Sequence, residues 1–346
     1  MSRWRTALVA LTACLGACDG AERSPDRVVR IDTVGGTLFV ESPPSPSEPA
    51  RLRTRIGTHG LGPEDGPAVF GRISSVALGR DGTLYVADSQ ADEVRVFSGD
   101  GWHVRTFGGP GEGPGEFGDL YSLGWLADTL AVMDPADARG ILHAADGTYV
   151  GQRPWLAYSG PRSVIRLFSV PPGDLYTPYP SFDRENPRHV FLRFRPGRLE
   201  PDTVSLSAEE GGSAGSLCAF PDGGISFFAN PFAPRRIVVP APAGRLVSGW
   251  TNDGRAVFWN AAGASVEVVS VAERTEPLPD ESWDSLTAEF SSYRSERPGS
   301  ECEPDALVRP PALPRSSGIF FTSEGTLVVE RPLASGGRFD FFGPAG

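Results

Sequence analysis

A displacement of 46 residues lays one part of this chain on the next, and no other feature constrains its fold so tightly. Leu84-Tyr85-Val86-Ala87-Asp88, Val94-Arg95-Val96-Phe97 and Asp100-Gly101 return as Leu130-Ala131-Val132-Met133-Asp134, Ile141-Leu142 and Asp146-Gly147, with no gap. Each copy holds two or three alternating strands joined by Asp-Gly turns, the pattern of a four-stranded sheet. Fainter copies follow. Gly173-Asp174 precedes Leu175–Thr177, with His189–Phe194 as its outer strand. Asp222-Gly223 precedes Gly224–Phe228, with Arg236–Val239 behind it; Asp253-Gly254 precedes Arg255–Trp259, with Val266–Val269 behind it. Glu324-Gly325 precedes Thr326–Glu330 and then Arg338–Phe342, which makes six units.

The run LYVADSQADEVRVF (84–97), its Asp-Gly turn, Val104–Gly108 and Gly111–Phe117 together resemble the NHL-repeat family of six-bladed β-propellers, and most of all its bacterial lipoprotein-like branch. The match is close over 55–150 and loose afterwards. The resemblance implies an all-β, six-bladed ring. Glu93 departs from it, standing where many NHL repeats place an arginine; the second unit has Arg139 there. The last unit runs out of chain one strand short, and residues 51–57 are an unpaired strand candidate. They are expected to complete the final blade and so remove the open seam of the ring. An insertion at 277–315 separates the fifth and sixth units. Within it, Pro279–Glu296 predicts a helix whose apolar face carries Trp283, Leu286, Phe290 and Tyr293.

At the N-terminus, Arg3 and Arg5 precede an apolar stretch that runs to about Ala17, a secretory layout too short to span a bilayer. Leu15-Gly16-Ala17-Cys18 resembles the lipobox of bacterial lipoproteins, which implies cleavage after Ala17 and a diacylglycerol on Cys18. At about 0.8 kcal/mol per buried methylene, two or three acyl chains make a lasting anchor. The alternative is an ordinary signal peptide in which Cys18 is incidental. On the first reading residues 1–17 are the signal peptide, 18–27 a polar tether and 28–346 the propeller. Val28–Ser42 alternates apolar and polar residues around Gly35-Gly36, a hairpin pattern. Lysine is absent, and the net charge of −11 has no basic cluster to set against it. That argues against nucleic acid as a partner and against electrostatic adhesion to anionic lipid. The acyl anchor alone would then hold a monomer in the cell envelope, facing the periplasm or exterior. Cys218 and Cys302 are the other cysteines of the mature chain and form a candidate disulfide in an oxidising compartment. Such a bond would pin the insertion across one channel mouth, with Cys218 on the inner strand of the fourth blade.

Candidate chemistry is sparse. His59 lies in a Gly-rich loop, His103 follows an Asp-Gly turn, and His143 and His189 fall on outer strands; no two have metal-ligand spacing. Asp88 and Asp134 match across the repeat, so each either meets a ligand at the channel rim or accepts backbone N–H groups at a turn, and repetition fits the second job. Glu112 lies in the loop 108–115 and Glu116 directly after it, where a carboxylate could meet a cation or merely face water. No helix follows that loop to receive a phosphate, and no Gly-x-Ser-x-Gly elbow supplies a nucleophile. The leading expectation is a binding or scaffold module without catalytic residues or cofactor, whose partner is an extracytoplasmic protein, peptide or glycan. The alternative is a channel-centred enzyme, a lyase or lactonase-like hydrolase, using Ca²⁺ or Zn²⁺ with Asp88, Asp134 and Glu112 as candidate ligands.

Overall fold

A computed structural model describes residues 29–42, 66–154, 166–183, 185–198, 200–208, 215–219, 223–271, 275–297, 299–333 and 336–343. Six β-sheets follow one another along the chain, an all-β six-bladed propeller with one α-helix inserted between the fifth and sixth. The first two blades keep the sequence repeat strand by strand. Ile73–Leu78, Leu84–Asp88, Glu93–Phe97 and His103–Gly108 form the first; Ser122–Leu126, Thr129–Asp134, Arg139–His143 and Tyr149–Pro154 form the second. Each is antiparallel with neighbours in chain order. The third blade is Phe168–Val170, Asp174–Tyr179, Arg188–Phe194 and Asp202–Ser207. His189 and His143 therefore sit on third strands rather than outer ones, because a further strand pairs outside each.

The later blades depart from the expected frames. Arg236–Ala241 does not lie behind the fourth unit; it pairs with Arg245–Trp250 as the first strand of the fifth blade, followed by Arg255–Trp259 and Ser265–Val271. The Asp253-Gly254 turn thus joins second and third strands, whereas Asp81-Gly82 joins first and second. The hairpin is as expected: Arg30–Val34 pairs with Thr37–Ser42 across Gly35 and Gly36, both at positive φ (60° and 84°), which glycine adopts freely. Its second strand then pairs in parallel with Ser265–Val271, extending the fifth blade to six strands and burying Val40. Gly318–Phe321, Leu327–Leu333 and Gly336–Phe342 form the sixth blade. The strand candidate 51–57 lies outside the described residues.

Apolar cores fill the spaces between sheets. Tyr85, Val94 and Val96 of the first blade meet Leu123, Leu130 and Val132 of the second. Met133 and Leu126 meet Leu175 and Phe194 of the third, where Gly124 leaves the room that Leu175 and Leu167 occupy. Tyr176 and Phe191 meet Leu246 of the fifth, and Val239 and Phe258 meet Ile319 and Leu327 of the sixth. The fourth sheet has a core of its own. Gly215–Ala219 is its central strand, flanked by Ile225–Ala229 and by Glu301–Glu303 from the insertion. Cys218 and Cys302 face each other in that register and are joined by a disulfide. Cys218 is thus on a central strand, and the insertion gives the sheet a strand. The helix Asp280–Glu296 packs on this sheet through Phe290 and Tyr293, with Phe228 between them. Leu286 is 58% exposed and does not belong to that face; Thr287 is buried in its stead, one residue further round the helix.

Candidate functional site: the crossover face

In an antiparallel blade the second-to-third turn and the crossover to the next blade lie on one face of the ring. Asp88 and Asp134 both end second strands on this face. Asp88 is 1% exposed and accepts from the backbone N–H groups of Gly71 (2.9 Å), Arg72 (3.0 Å) and Gln90 (3.1 Å). Burial pushes its carboxyl up, but those three N–H groups and the Arg95 guanidinium at 3.3 Å outweigh it and hold the pKa below the usual aspartate value. Asp134, fully buried, accepts from the N–H groups of Gly118 (2.9 Å) and Asp119 (3.1 Å) and from Arg139 Nε (3.1 Å). Both carboxylates therefore tie the end of a crossover to the end of a second strand. This is the turn-holding geometry, repeated across the two blades as the sequence repeat suggests.

The arginines complete the device. Arg139 donates to the carbonyls of Glu112 (2.9 Å), Glu116 (3.1 Å) and Gly111 (3.2 Å) and lies 3.0 Å from the Asp137 carboxylate. In the first blade Arg95 donates to the carbonyls of Pro67 (3.2 Å) and Val69 and stacks over the Phe70 ring. Each guanidinium thus gathers a Gly- and Pro-rich crossover whose own sequence has little to fold around. Glu112 is exposed, and it is its backbone carbonyl that Arg139 holds. Glu116 is exposed too, its carboxylate accepting from Gly113 N–H at 2.9 Å. Gly108, at φ 93°, lets Phe117 close over the root of the loop, since a Cβ there would meet the ring at 2.2 Å.

The two strand arginines are what the sequence reading missed. Arg139 stood in view only as a family position, and Arg95 lies two residues beyond its register equivalent, Glu93. The signal available was a basic residue on the third strand after each carboxylate. Elsewhere the predicted groups stay apart. His143 is buried among Phe107, Phe117 and Tyr149, its Nδ1 bonded to the Gly147 carbonyl at 3.1 Å, and burial lowers its pKa. His189, on another blade, is lowered by burial and then by Arg236. His103 is exposed, and His59 and Cys18 lie outside the described residues. Among the described residues no group of three or more His, Cys, Asp or Glu side chains gathers as a metal site, and no helix is long and apolar enough to cross a membrane.

No protein-family model matches the chain, and no curated protein does. Among solved structures, a protein of Bacteroides fragilis NCTC 9343 described as exported is 12% identical over 82% of this chain and 71% of its own, with a TM-score of 0.42. The glutaminyl cyclase of Myxococcus xanthus is 11% identical over 78% and 91%, with a TM-score of 0.33. The virginiamycin B lyase of Staphylococcus aureus is 11% identical over 78% and 69%, with a TM-score of 0.31. Likeness at this level carries nothing about activity or partner, and the fold rests on the sheets themselves.

Proposed function

We propose that this chain is a membrane-anchored extracytoplasmic propeller lipoprotein of the NHL-like kind, cleaved after Ala17, lipidated on Cys18 and carrying its ring on the tether 18–27. On this reading the crossover face binds an envelope protein, peptide or glycan. The observation that supports it is the pinning of loops 66–72 and 109–119 by Asp88 with Arg95 and Asp134 with Arg139. Loops already ordered in the free protein lose little conformational entropy on binding, and a rigid ring that presents them suits recognition.

The experiment is fractionation with acyl labelling of the wild type and of Cys18→Ser, together with crosslinking in the native envelope. The wild type should take up label and sediment with membranes, and Cys18→Ser should be released as a folded ring. A crosslinked partner should be lost when Glu112 and Glu116 are both changed to Arg. Retention of Cys18→Ser in the membrane would remove the anchor, and a partner indifferent to the loop change would remove the face. A stoichiometric, tightly held Ca²⁺ or Zn²⁺ in the purified ring would favour the channel-centred enzyme instead.

A further inference from the structure

The hairpin outside the fifth blade brings two turns together on the side of the ring opposite the crossover face. Thr37–Ser42 runs parallel to Ser265–Val271, so both strands begin at the same end of the blade. That end is the third-to-fourth turn, 260–264, away from the crossovers. The hairpin tip, 34–37, therefore stands beside this turn, and Thr37 Oγ1 joins the two by donating to the Ser265 carbonyl at 3.0 Å.

Both turns are free of charge in a chain of net charge −11: neither 33–40 nor 256–266 holds an ionisable side chain. The sibling turns show that this is a departure. In the first, second and fifth blades the third-to-fourth turn has one geometry. Ser98, Ala144 and Asn260 donate their N–H to the carbonyls of Trp102, Thr148 and Ala264, and Gly101, Gly147 and Gly263 donate back to them. The third position of that turn is an exposed carboxylate in the first two, Asp100 and Asp146, and Ala262 in the fifth. Asn260 spends its Oδ1 inside the turn, accepting from Ala262 and Ala264 N–H at 3.0 Å each. Beside it Val34 is 60% exposed and shares a hairpin face with Phe39, 40% exposed.

We infer that this uncharged pair of turns enters the headgroup region of the membrane that carries the lipid, and so holds the ring with its crossover face toward the aqueous side. The inference rests on the anchored-lipoprotein reading and gives it a second membrane contact. Residues 19–28 alone separate Cys18 from the hairpin, a length that spans at most about 40 Å. Arg30–Val34 measures about 17 Å from its charged end to the tip, so the tether suffices to run back along it to the bilayer. Two rungs, Val34 opposite Thr37 and Thr33 opposite Leu38, precede Asp32, so the tip sinks about 7 Å before a charge meets the surface. Interfacial segments settle at such a depth. The outer edge of Arg30–Val34 has no strand beside it among the described residues, and its backbone groups hold the tip in hydrated headgroups rather than hydrocarbon. Arg30 and Glu41, 3.8 Å apart at the far end, stay in water.

Fluorescence of the mature lipidated chain in phosphatidylcholine vesicles tests it. With Cys18 acylated and Cys218 bonded to Cys302, Val34→Cys and, on the crossover face, Glu112→Cys each offer one thiol to a nitrobenzoxadiazole label. The label at 34 should shift to the blue and be quenched by a nitroxide on the lipid, while the label at 112 stays open to aqueous iodide. Adding phosphatidylglycerol should not strengthen the contact, since the turns carry no cation. Ala262→Asp restores the carboxylate of the sibling turns within their own geometry, and should reopen the label at 34 to iodide. If Val34→Cys fails to fold, hydrogen exchange of the unsubstituted chain reads the same contact: 31–38 should exchange more slowly on vesicles than in soluble Cys18→Ser, with 109–119 unchanged. Shielding of the label at 34 from iodide without quenching by lipid would mean that protein covers the tip, and quenching at 112 that the ring faces the other way. Either overturns the inference, as does exchange over 31–38 that vesicles leave unchanged. Acyl labelling separates the two readings. A chain without acyl on Cys18 removes anchor and contact together, and an acylated chain with the label at 34 unquenched removes the contact alone.

Discussion

Replacing Arg139 by Met keeps the apolar stem of that side chain and deletes its guanidinium, and the structure sets the cost. Asp134 is fully buried, and without Arg139 it keeps only the N–H groups of Gly118 and Asp119 against its charge. Removing one member of a buried ion pair costs about 3–5 kcal/mol, because the other charge is stranded. The pair with Asp137, whose side chain is 32% exposed, adds at most about 1 kcal/mol. The carbonyls of Gly111, Glu112 and Glu116 border solvent, so water replaces their donor and they add little. The pairing of Arg80 with Asp128 is the control: at 69% and 83% exposure, Arg80→Met should change stability by less than about 1 kcal/mol. Urea unfolding followed by tryptophan fluorescence measures both, and hydrogen exchange across 109–121 should rise in Arg139→Met alone. Adding Asp134→Asn to Arg139→Met should recover part of the loss, since the stranded charge is gone. An Arg139→Met loss no larger than that of the Arg80 control would refute the reasoning.

Two further outcomes follow from burial and cross-linking. Cys302→Ser opens a loop spanning a separation of 84 residues, worth about 4–5 kcal/mol by chain entropy. Because Cys302 sits on the strand that completes the fourth sheet, limited proteolysis should cut first within 280–303 while the first two blades stay protected; simultaneous cutting everywhere would contradict this. His143 is held neutral by burial, so its folded pKa lies below the unfolded value near 6.5. Above that pH it has no effect; as pH falls below it the unfolded chain takes a proton that the folded ring refuses. Stability then drops by up to about 1.4 kcal/mol per pH unit until the folded pKa is reached. His143→Phe should flatten the slope between pH 6.5 and 5 in chemical unfolding, and equal slopes would place the acid sensitivity elsewhere.

The first two blades were legible because their strands, turns and spacing repeat together: Glu93–Phe97 and His103–Gly108 recur 46 residues on as Arg139–His143 and Tyr149–Pro154. The later frames slipped for a local reason. An Asp-Gly pair encodes a reversal of the chain and not which reversal it is: Asp81-Gly82, Asp253-Gly254 and Asp100-Gly101 turn between first and second, second and third, and third and fourth strands respectively. Strand rank is decided by packing, as when Arg236–Ala241 joins the core of the fifth blade through Val239 and Ala241. The third strand of the fourth sheet comes from 84 residues away, and no local pattern announces such a partner.

The site was half legible for a related reason. A carboxylate that ends a strand is fixed by its backbone, so Asp88 and Asp134 fall in register. An arginine has a long stem and reaches the same crossover from different starting points, as Arg95 and Arg139 do. The sixth blade takes this freedom further by exchanging the roles. There the arginine lies on the second strand, as Arg331, and the aspartate stands on the third, as Asp340, yet Arg331 still holds a crossover carbonyl, that of Arg315. What recurs in the first, second and sixth blades is a buried ion pair between the second and third strands that grips the incoming crossover, and the sequence can write it in either order. Where the pair is balanced, as Asp134 with Arg139, it fixes a loop. In the sixth blade Arg338 shares the same Asp340, so two guanidiniums converge on one carboxylate at the joint.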